Sequence, residues 1–561
     1  MRHASLWPFV LAALAFRLLA GLSSTFWSED ERQVYLIGLR AFARGEWPWF
    51  GADVVWTGGQ LPGALQGLLV GGPLALWPVP EAPFVLLNVL SAGTLALLAW
   101  YCTRRYPDLP AWLVWGSLFT LPWTLNFSTQ IINTSYILPG AVVFFVGFFE
   151  ATPTLRAGLL RSSIAWALMG AGLLTLVQIH MSWVLLPPYV LFAALDTLRR
   201  EPRRIATRML AFAAGAAVPG SLLLPTLVRF GPWAGGVDRV IELHPQPVSA
   251  FLEIVARFLS FTAFETNRFL GLHTGERLLF LWRQPWVVPF VALTTLVGLA
   301  QPIAMAIAGF LPADRSAEWR RIRRLVAATL LWIYASFFFS VRGPLAHAFY
   351  AVLPVAVLYA CCCWRAYGSP RLARVAAVTL AAGLVMHAGL FLDRLPRRSL
   401  YVDRPLVQAA ISAGNDRFLG DRRDSLQEAH DPRPRAIDPV PDVNAYLQAE
   451  ATTDLEVTSV TWSPVIRGRV SRLIVSVRNR SEAAAWLDIR YVADYRGADG
   501  RVVATREGII KVVLQPGSTR TWDDLTDGLA PAGATNATLR IVGAEKCIPA
   551  TTTSAPDRAS A

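Results

Sequence analysis

Long apolar runs separated by short polar segments fill the chain from residue 5 to residue 392. A helix needs about 20 apolar residues to cross a hydrocarbon core of roughly 30 Å. Backbone groups in lipid must bond to one another, which favours helices where no barrel-like alternation is present. The pattern therefore predicts about eleven or twelve membrane helices. The runs lie near 5–24, 62–79, 83–103, 111–127, 136–150, 164–179, 183–197, 207–228, 286–311, 325–341, 349–364 and 372–392.

Several of these runs are short or interrupted. Prolines at Pro122, Pro139, Pro187 and Pro188 predict tilted or broken helices, because proline lacks the backbone N–H that a helix interior uses. The run 62–79 is rich in glycine and proline. The charge pattern of the loops favours a re-entrant or interfacial element there, with a full crossing as the alternative.

Two later regions have patterns of their own. Apolar residues recur at helical spacing over 251–261, which predicts either a helix lying in the membrane interface or a cap over the helix bundle. From 453 to 548 apolar and polar residues alternate, as at Leu473, Val475 and Val477, which predicts strands. Short strands over about 95 residues favour an immunoglobulin-like sandwich.

The expected organisation follows from these patterns. It consists of a membrane domain at 1–392, a linker with short helices at 393–452, a β-sandwich at 453–548 and a disordered tail at 549–561.

Composition and charge agree with a membrane protein and predict its orientation. The 561 residues are 54% hydrophobic and 16% charged, which is too apolar for a soluble protein. The net charge of +13 does not indicate nucleic-acid binding, because the basic residues form short clusters between apolar runs. Such clusters are typical of cytoplasmic loops. They lie at 104–105, 156–161, 199–208 and 315–324, so the segment 25–60 and the C-terminal region are expected outside.

Three consecutive carboxylates, Glu29, Asp30 and Glu31, lie in the first expected outer segment. Carboxylates crowded at a membrane face repel one another and must be partnered or desolvated. One of them can act as a general base on an incoming hydroxyl or amine, or can hold a metal or a sugar hydroxyl. The alternative is a solvated acidic loop without chemistry.

A second candidate segment joins two late apolar runs. It contains Arg342, His347 and Tyr350. A cation, an imidazole and a phenol at the outer membrane face suit the phosphate of a lipid, which accepts charge-assisted hydrogen bonds. The alternatives are that Arg342 anchors its helix and that His347 satisfies a buried turn.

Together these motifs resemble the type C glycosyltransferases, specifically the bacterial aminoarabinose transferases and protein O-mannosyltransferases that use polyprenyl-phosphate sugars. The matching residues are Asp30-Glu31, Tyr35, Arg40, Gly45 and Trp47, then Leu61-Pro62, and more loosely Arg342, Pro344, His347, Tyr350 and Pro354. The resemblance implies a polytopic α-helical membrane protein with a type C glycosyltransferase-like fold, followed by an extracytoplasmic sandwich.

The resemblance also implies a reaction and a place for it. A nucleophile on a cell-envelope acceptor would attack the anomeric carbon of a sugar on polyprenyl phosphate, at the outer face of the bacterial cytoplasmic membrane. By this likeness Asp30 is the general base, Glu31 orients the sugar or acceptor, and Arg342, His347 and Tyr350 hold the phosphate.

The next expected outer loop departs from the family pattern. Many relatives carry an acidic residue there, whereas this loop has Gln130 and Asn133, which can bind sugar hydroxyls but cannot act as a carboxylate does. His180 interrupts two short apolar runs and either meets the substrate or caps a broken helix. With Tyr35, these three residues are the candidates for sugar or acceptor binding.

No metal site is predicted from ligand spacing. The five cysteines form neither a CxxC pair nor a Cys/His set, although acidic residues beside a phosphate can recruit Mg²⁺ or Mn²⁺. Two other functions stay open at this point. One is a transporter or flippase of a lipid-linked glycan, and the other is a non-enzymatic membrane protein whose outer sandwich binds a partner.

Overall fold

The structure is a computed structural model that places helices over the first three quarters of the chain and β-sheets near its end. It describes residues 7–23, 29–45, 47–54, 59–232, 235, 241, 243–261, 266–271, 273–311, 316–340, 346–413, 450–482 and 484–547. The predicted tail from residue 549 and most of the predicted linker lie outside these ranges.

The helical elements follow the apolar runs. The α-helices are α1 (Trp7–Leu22), α2 (Glu29–Arg44), α3 (Leu65–Leu76), α4 (Ala82–Arg105), α5 (Ala111–Thr120), α6 (Pro122–Asn126), α7 (Ile137–Ala151), α8 (Ser162–Val177), α9 (Pro187–Arg200), α10 (Ile205–Phe230), α11 (Val248–Leu259), α12 (Thr266–Leu270), α13 (Thr274–Arg283), α14 (Val288–Phe310), α15 (Ala317–Phe337), α16 (Leu353–Tyr367), α17 (Pro370–Arg398) and α18 (Leu400–Ala413). Short 3₁₀ segments lie at Asn133–Tyr136, Met181–Leu185, Pro202–Arg204, Pro285–Val287 and Ala346–Val352.

The predicted multi-pass architecture is confirmed by the lengths and composition of these helices. Within the described ranges, seven helical segments are long and apolar enough to cross a membrane, and four shorter apolar helices accompany them. The seven are Ala82–Arg105, Asn133–Ala151, Met181–Arg200, Pro202–Phe230, Pro285–Phe310, Phe349–Tyr367 and Pro370–Val402.

Proline breaks the helices where the sequence predicts. Pro122 is the first residue of α6, directly after the end of α5, and Pro187 is the first residue of α9. Both positions need no backbone N–H, since the first turn of a helix leaves its donors free. Pro139 lies in the first turn of α7, where it is tolerated for the same reason.

The glycine-rich run 62–79 forms strand β2 (Gly59–Pro62) and the short helix α3. Twelve residues of helix span about 18 Å, which is less than the thickness of a bilayer core. Strand β2 pairs antiparallel with β1 (Phe50–Val54), and α3 packs on α2. These contacts agree with the expected re-entrant or interfacial element.

The basic clusters meet at one end of the helix bundle, which we call the basic end. Three contacts join them: Arg105 to Glu318 at 2.9 Å, Arg156 to Glu201 at 2.9 Å, and Arg321 to the Thr154 carbonyl oxygen at 2.7 Å. The last cluster is largely helical rather than a loop, because α15 begins at Ala317 with a cap from the Ser316 side chain. Helix α7 leads from this end to residues 133–136 at the opposite end.

Helix α11 covers part of the bundle, one of the two expected roles for 251–261. Its Ile254, Phe258 and Leu259 side chains are buried in the main hydrophobic core, while Leu252 is exposed on the other face. The helix packs against α14 and α15.

The C-terminal strands form two antiparallel sheets that pack face to face, as predicted. One sheet has the order β3-β4-β7 and the other β6-β5-β8. The strands are β3 (Leu455–Val465), β4 (Val470–Asn479), β5 (Ala485–Arg496), β6 (Val502–Leu514), β7 (Thr519–Leu525) and β8 (Asn536–Cys547). Side chains from both sheets, such as Val475 and Ile489, share one core. An immunoglobulin-like strand arrangement stays a prediction.

Candidate functional site

Helix α2 carries the acidic motif at its first turn and is held close to α3. Gly71 of α3 lies so near to α2 that a Cβ atom on it would be 2.6 Å from the carbonyl oxygen of Gly38. A Cβ on Gly38 would meet the Val70 side chain at 2.3 Å. Small residues allow two backbones this separation. The packing of α3 therefore fixes α2, with residues 30 and 31 near its start.

Tyr35 is buried one helical turn after the acidic motif. Its hydroxyl donates a hydrogen bond to the carbonyl oxygen of Pro80 at 3.3 Å. Burial raises the pKa of Tyr35 far above its ordinary value, and the nearby Glu81 and Tyr136 raise it further. The phenol is therefore neutral at any physiological pH, and in this structure it holds α2 against the turn before α4.

Arg17 of α1 binds the loop that follows α5, which is the second expected outer loop. Its guanidinium donates to the carbonyl oxygens of Phe119 at 3.2 Å and Thr124 at 2.9 Å, and to the hydroxyl of Ser128. The side chain is fully buried. A buried guanidinium needs such acceptors, since leaving its donors unpaired is costly. Arg17 thus connects the helix before the acidic motif to the loop that carries Gln130.

Tyr350 attaches residues 346–352 to the same stretch of chain that Arg17 binds, residues 119–128. Its ring stacks on Trp123 with centroids 4.5 Å apart, and its hydroxyl donates to the Trp123 carbonyl oxygen at 2.8 Å. The hydroxyl also reaches the Ser128 side chain, and the Arg17 charge is close enough to act on it. Three segments that are far apart in sequence therefore meet here: the end of α1, residues 119–128 and residues 346–352.

The candidates for sugar or acceptor binding lie around this junction. Gln130 donates to the Asn126 side chain at 3.3 Å, and both residues line a cavity that extends toward the sandwich. Asn133 begins the 3₁₀ segment that packs on α2 and α4. The structure therefore places Asn133 near the acidic helix and Gln130 beside the cavity.

His180 makes the contacts of a capping residue. Its Nδ1 accepts a hydrogen bond from the backbone N–H of Ser182 at 3.1 Å and lies 2.9 Å from the Ser182 hydroxyl. The 3₁₀ segment that it begins packs on residues 346–352. This is the capping role that the sequence left open, and contact of His180 with a substrate stays a prediction.

Four of the expected site residues have side chains outside the described part of the structure. These are Asp30, Glu31, Arg342 and His347. The backbone of residues 30 and 31 lies in the first turn of α2, and the backbone at position 347 lies in the 3₁₀ helix Ala346–Val352. Their roles stay predictions.

Metal binding finds no support among the side chains that the structure describes. No group of three or more His, Cys, Asp or Glu within them lies close enough together to hold an ion. The side chains of Asp30 and Glu31 lie outside these residues, so a divalent cation at the acidic motif stays a prediction.

In the sequence, Arg17 is an isolated charge within the apolar run 5–24. A lone ionisable residue in a membrane helix is the signal that could have marked it. Its partners could not be predicted from the sequence, because they are backbone oxygens and the Ser128 hydroxyl more than a hundred residues away. The basic side chains around the cavity beside Gln130 were missed for a similar reason, since three separate parts of the chain supply them.

Solved structures share this fold. The structure of ArnT from Cupriavidus metallidurans bound to undecaprenyl phosphate aligns with a TM-score of 0.50 and 13% sequence identity, covering 82% of this chain and 93% of that chain. The apo state of ArnT aligns with a TM-score of 0.50 and 14% identity, covering 81% and 93%. The fold expected from the resemblance, that of a type C glycosyltransferase, is confirmed. At this identity the likeness shows the fold alone.

Arabinosyltransferase EmbB from Mycobacterium smegmatis aligns over 97% of this chain and 64% of that chain at 13% identity, with a TM-score of only 0.32. No family model matches the sequence, and no curated protein matches it.

Proposed function

We propose that the protein transfers a sugar from a polyprenyl-phosphate donor to an acceptor at the outer face of the bacterial cytoplasmic membrane. The observation that carries the proposal is the shared fold with ArnT, whose structure contains undecaprenyl phosphate. The meeting of the end of α1, residues 119–128 and residues 346–352 supports it, because α1 directly precedes the acidic motif and residues 346–352 belong to the late motif that resembles the family.

In the proposed reaction Asp30 takes the proton from a hydroxyl or amine of the acceptor. The freed electron pair forms a bond to the anomeric carbon of the sugar, and the bond between that carbon and the phosphate oxygen breaks. Polyprenyl phosphate leaves as an anion, held by Arg342 and His347 through charge-assisted hydrogen bonds. Glu31 orients the sugar or the acceptor.

Tyr350 has a distinct part in this proposal. Its hydroxyl donates inward to the Trp123 carbonyl oxygen and its ring is buried, so it fixes the segment that carries His347. We propose that it positions this segment, and its direct contact with the phosphate stays a prediction from the resemblance.

Gln130 and Asn133 are neutral where many relatives have an acidic side chain, so they can donate and accept hydrogen bonds to sugar hydroxyls without adding charge. Whether a hexose or a pentose is transferred depends on contacts that their loop makes with the sugar.

The orientation in the membrane is also proposed. The basic end of the bundle would face the cytoplasm, since arginine-rich loops are retained there. The site and the sandwich, which lie at the other end, would then be extracytoplasmic.

The test is a reconstituted assay in proteoliposomes with a polyprenyl-phosphate sugar radiolabelled in the sugar, supplied with an extract of envelope acceptors. The proposal predicts that label leaves the polyprenyl fraction while an equal amount of polyprenyl phosphate forms. A flippase would move labelled donor across the bilayer intact, and a non-enzymatic binding protein would leave the donor unchanged. Either of these two results contradicts the proposal.

A further inference from the structure

A cavity of about 870 Å³ lies between the helix bundle and the sandwich. One wall is the loop with Asn126 and Gln130, a second is formed by residues 268–283 and the end of α17, and a third by strands β6 and β7 with the turn after β7. Its volume is in the range of ligand-binding pockets, roughly 300–1,000 Å³. Because Gln130 belongs to both the cavity and the loop of the proposed site, the cavity adjoins that site.

Several contacts hold the sandwich against the helix bundle, so the walls of the cavity have fixed positions. Leu487 and Val513 of the sandwich are buried in the main core of the helix bundle. Arg397 of α17 donates to Asp523 of β7 at 3.2 Å. At Gly275 of α13 an added Cβ would be 2.9 Å from the Gly528 Cα. The walls of the cavity are therefore packed against each other on both sides.

The lining of the cavity is rich in paired charges with basic residues in excess. Seven arginine and lysine residues line it against five aspartate and glutamate residues, counted over the described chain. Arg283 binds Asp393 through Nε at 2.8 Å and Nη2 at 2.7 Å, and Arg506 pairs with Asp527 at 3.3 Å. Each pair neutralises one basic and one acidic group, so the described lining keeps its excess of two basic residues.

One guanidinium nitrogen at this cavity has no hydrogen-bond partner among the residues that the structure describes. It is Nη1 of Arg283, which is buried. A buried donor without an acceptor is destabilising, so an acceptor oxygen supplied by a ligand would stabilise this site. This atom favours a ligand with oxygen acceptors, and a charged oxygen most of all.

Lys511 adds a cation that forms no ion pair with any residue that the structure describes. It is exposed on β6 and lines the cavity. The chain has only two lysines, and the other, Lys546, is paired with Glu450. Polar and aromatic side chains stand near the charges, among them Gln130 and Tyr491. Burial, with a contribution from Asp527, raises the pKa of Tyr491 to about 12, so its phenol stays neutral.

We propose that this cavity is a binding site for a saccharide that carries an acidic group, either a phosphate or a carboxylate. The excess basic charge and the unpaired Arg283 nitrogen would bind the acid, and the amides and aromatic rings would bind the sugar. The assignment of this saccharide as part of the acceptor rests on the proposed function, whereas the binding itself does not.

Binding is tested on the full-length protein in detergent by calorimetry at low salt. The probes are trehalose 6-phosphate and digalacturonic acid, with trehalose and inorganic phosphate for comparison. At least one acidic saccharide should bind about tenfold or more tightly than both trehalose and phosphate. Lys511→Gln should weaken that binding several-fold, and Lys546→Gln should leave it unchanged. Failure of both acidic saccharides to bind overturns the proposal, as does equal binding of inorganic phosphate or insensitivity to Lys511→Gln.

A second measurement needs no variant. An amine-reactive ester can modify only two lysine side chains in this protein, and mass spectrometry reports each separately. The bound acidic saccharide should protect Lys511 and leave Lys546 reactive. Equal reactivity of Lys511 with and without the saccharide contradicts the site. If the saccharide binds and no sugar transfer is found, the proposed function fails and this site stands. If sugar transfer is found and neither acidic saccharide binds, this site fails and the proposed function stands.

Discussion

The guanidinium of Arg17 donates a hydrogen bond to the backbone carbonyl oxygen of Thr124 at 2.9 Å, across 107 positions of the sequence. The same nitrogen reaches the Ser128 hydroxyl, which Tyr350 also approaches. One buried cation therefore connects the helix before the acidic motif, the loop before Gln130 and the segment that carries His347.

Replacing this cation should disturb all three segments. Arg17→Met leaves the carbonyl oxygens of Phe119 and Thr124 without their donor, and hydrogen bonds to a charged group contribute about 1.5–3 kcal/mol. We expect a lower melting temperature in detergent and a loss of transfer activity that exceeds the loss of folded protein. The control is Arg199→Met, at an exposed arginine at the end of α9. Equal stability of the two variants would contradict the role of Arg17.

Tyr350→Phe distinguishes positioning from contact with the phosphate. The variant keeps the ring that stacks on Trp123 and removes the hydroxyl that donates to its carbonyl oxygen. We expect a loss of about 1 kcal/mol of stability and a change in kcat, with the KM for the donor nearly unchanged. A large rise in donor KM with normal stability would assign Tyr350 to the phosphate instead.

The close packing of α2 on α3 gives a prediction with a matched control. Gly71→Ala puts a methyl group 2.6 Å from the Gly38 carbonyl oxygen, so α2 must move, at a cost of about 1–3 kcal/mol. Gly72 is next to it in the same helix and has open space around its Cβ position. Gly72→Ala should therefore be neutral or slightly stabilising, because alanine favours helix. Gly71→Ala should therefore have a lower melting temperature and a lower transfer activity than Gly72→Ala.

The stability of the contact between the sandwich and the helix bundle should depend on pH, because Asp523 of β7 takes part in it. Burial by itself raises the pKa of Asp523, but the hydrogen bond from Arg397 and the charges of Arg397, Arg472 and Arg283 lower it below its ordinary value. A carboxylate with a lowered pKa stabilises the folded state above the unfolded pKa of about 3.9 and loses that contribution as the pH falls through the folded value.

Hydrogen exchange of β7 and the end of α17, corrected for the intrinsic rate, measures this effect. Protection should be constant at neutral pH and decline below about pH 4. Asp523→Asn should be less protected at neutral pH and should change less on acidification. The control Asp499→Asn lies in an exposed turn of the sandwich and should behave as wild type. A decline of equal size in wild type and Asp523→Asn would exclude this carboxylate as the cause.

Thiol labelling tests the orientation. In a protein with its native cysteines replaced, Ala498→Cys in the exposed turn between β5 and β6 should react with a membrane-impermeant reagent in intact cells. Arg203→Cys at the basic end should react only after permeabilisation, because arginine-rich loops stay in the cytoplasm. Reaction of Arg203→Cys in intact cells would reverse the proposed orientation.

The elements that the sequence predicted well depend on local chemistry. The breaks at Pro122 and Pro187 follow from a missing backbone donor. The alternation at Leu473, Val475 and Val477 predicted the buried face of β4. Each of these features is decided within a few residues of sequence.

What the sequence did not predict depends on contacts between distant segments. Arg283 and Asp393 are 110 positions apart, and in the sequence each is an ordinary charged residue near the end of an apolar run. Their pairing, and the cavity beside them, exist only because the sandwich packs against the bundle. The resemblance of the motifs supplied the family of the fold, but residues such as Arg17 needed the structure.

The central claim is tested most directly by measuring release of polyprenyl phosphate from a polyprenyl-phosphate sugar by wild type, Asp30→Asn and Glu29→Gln. General-base catalysis contributes about 10²–10⁴-fold, so Asp30→Asn should release polyprenyl phosphate at least about a hundredfold more slowly than wild type. Glu29→Gln, which changes the neighbouring charge and not the proposed base, should stay close to wild type. Equal release by wild type and Asp30→Asn would contradict the account.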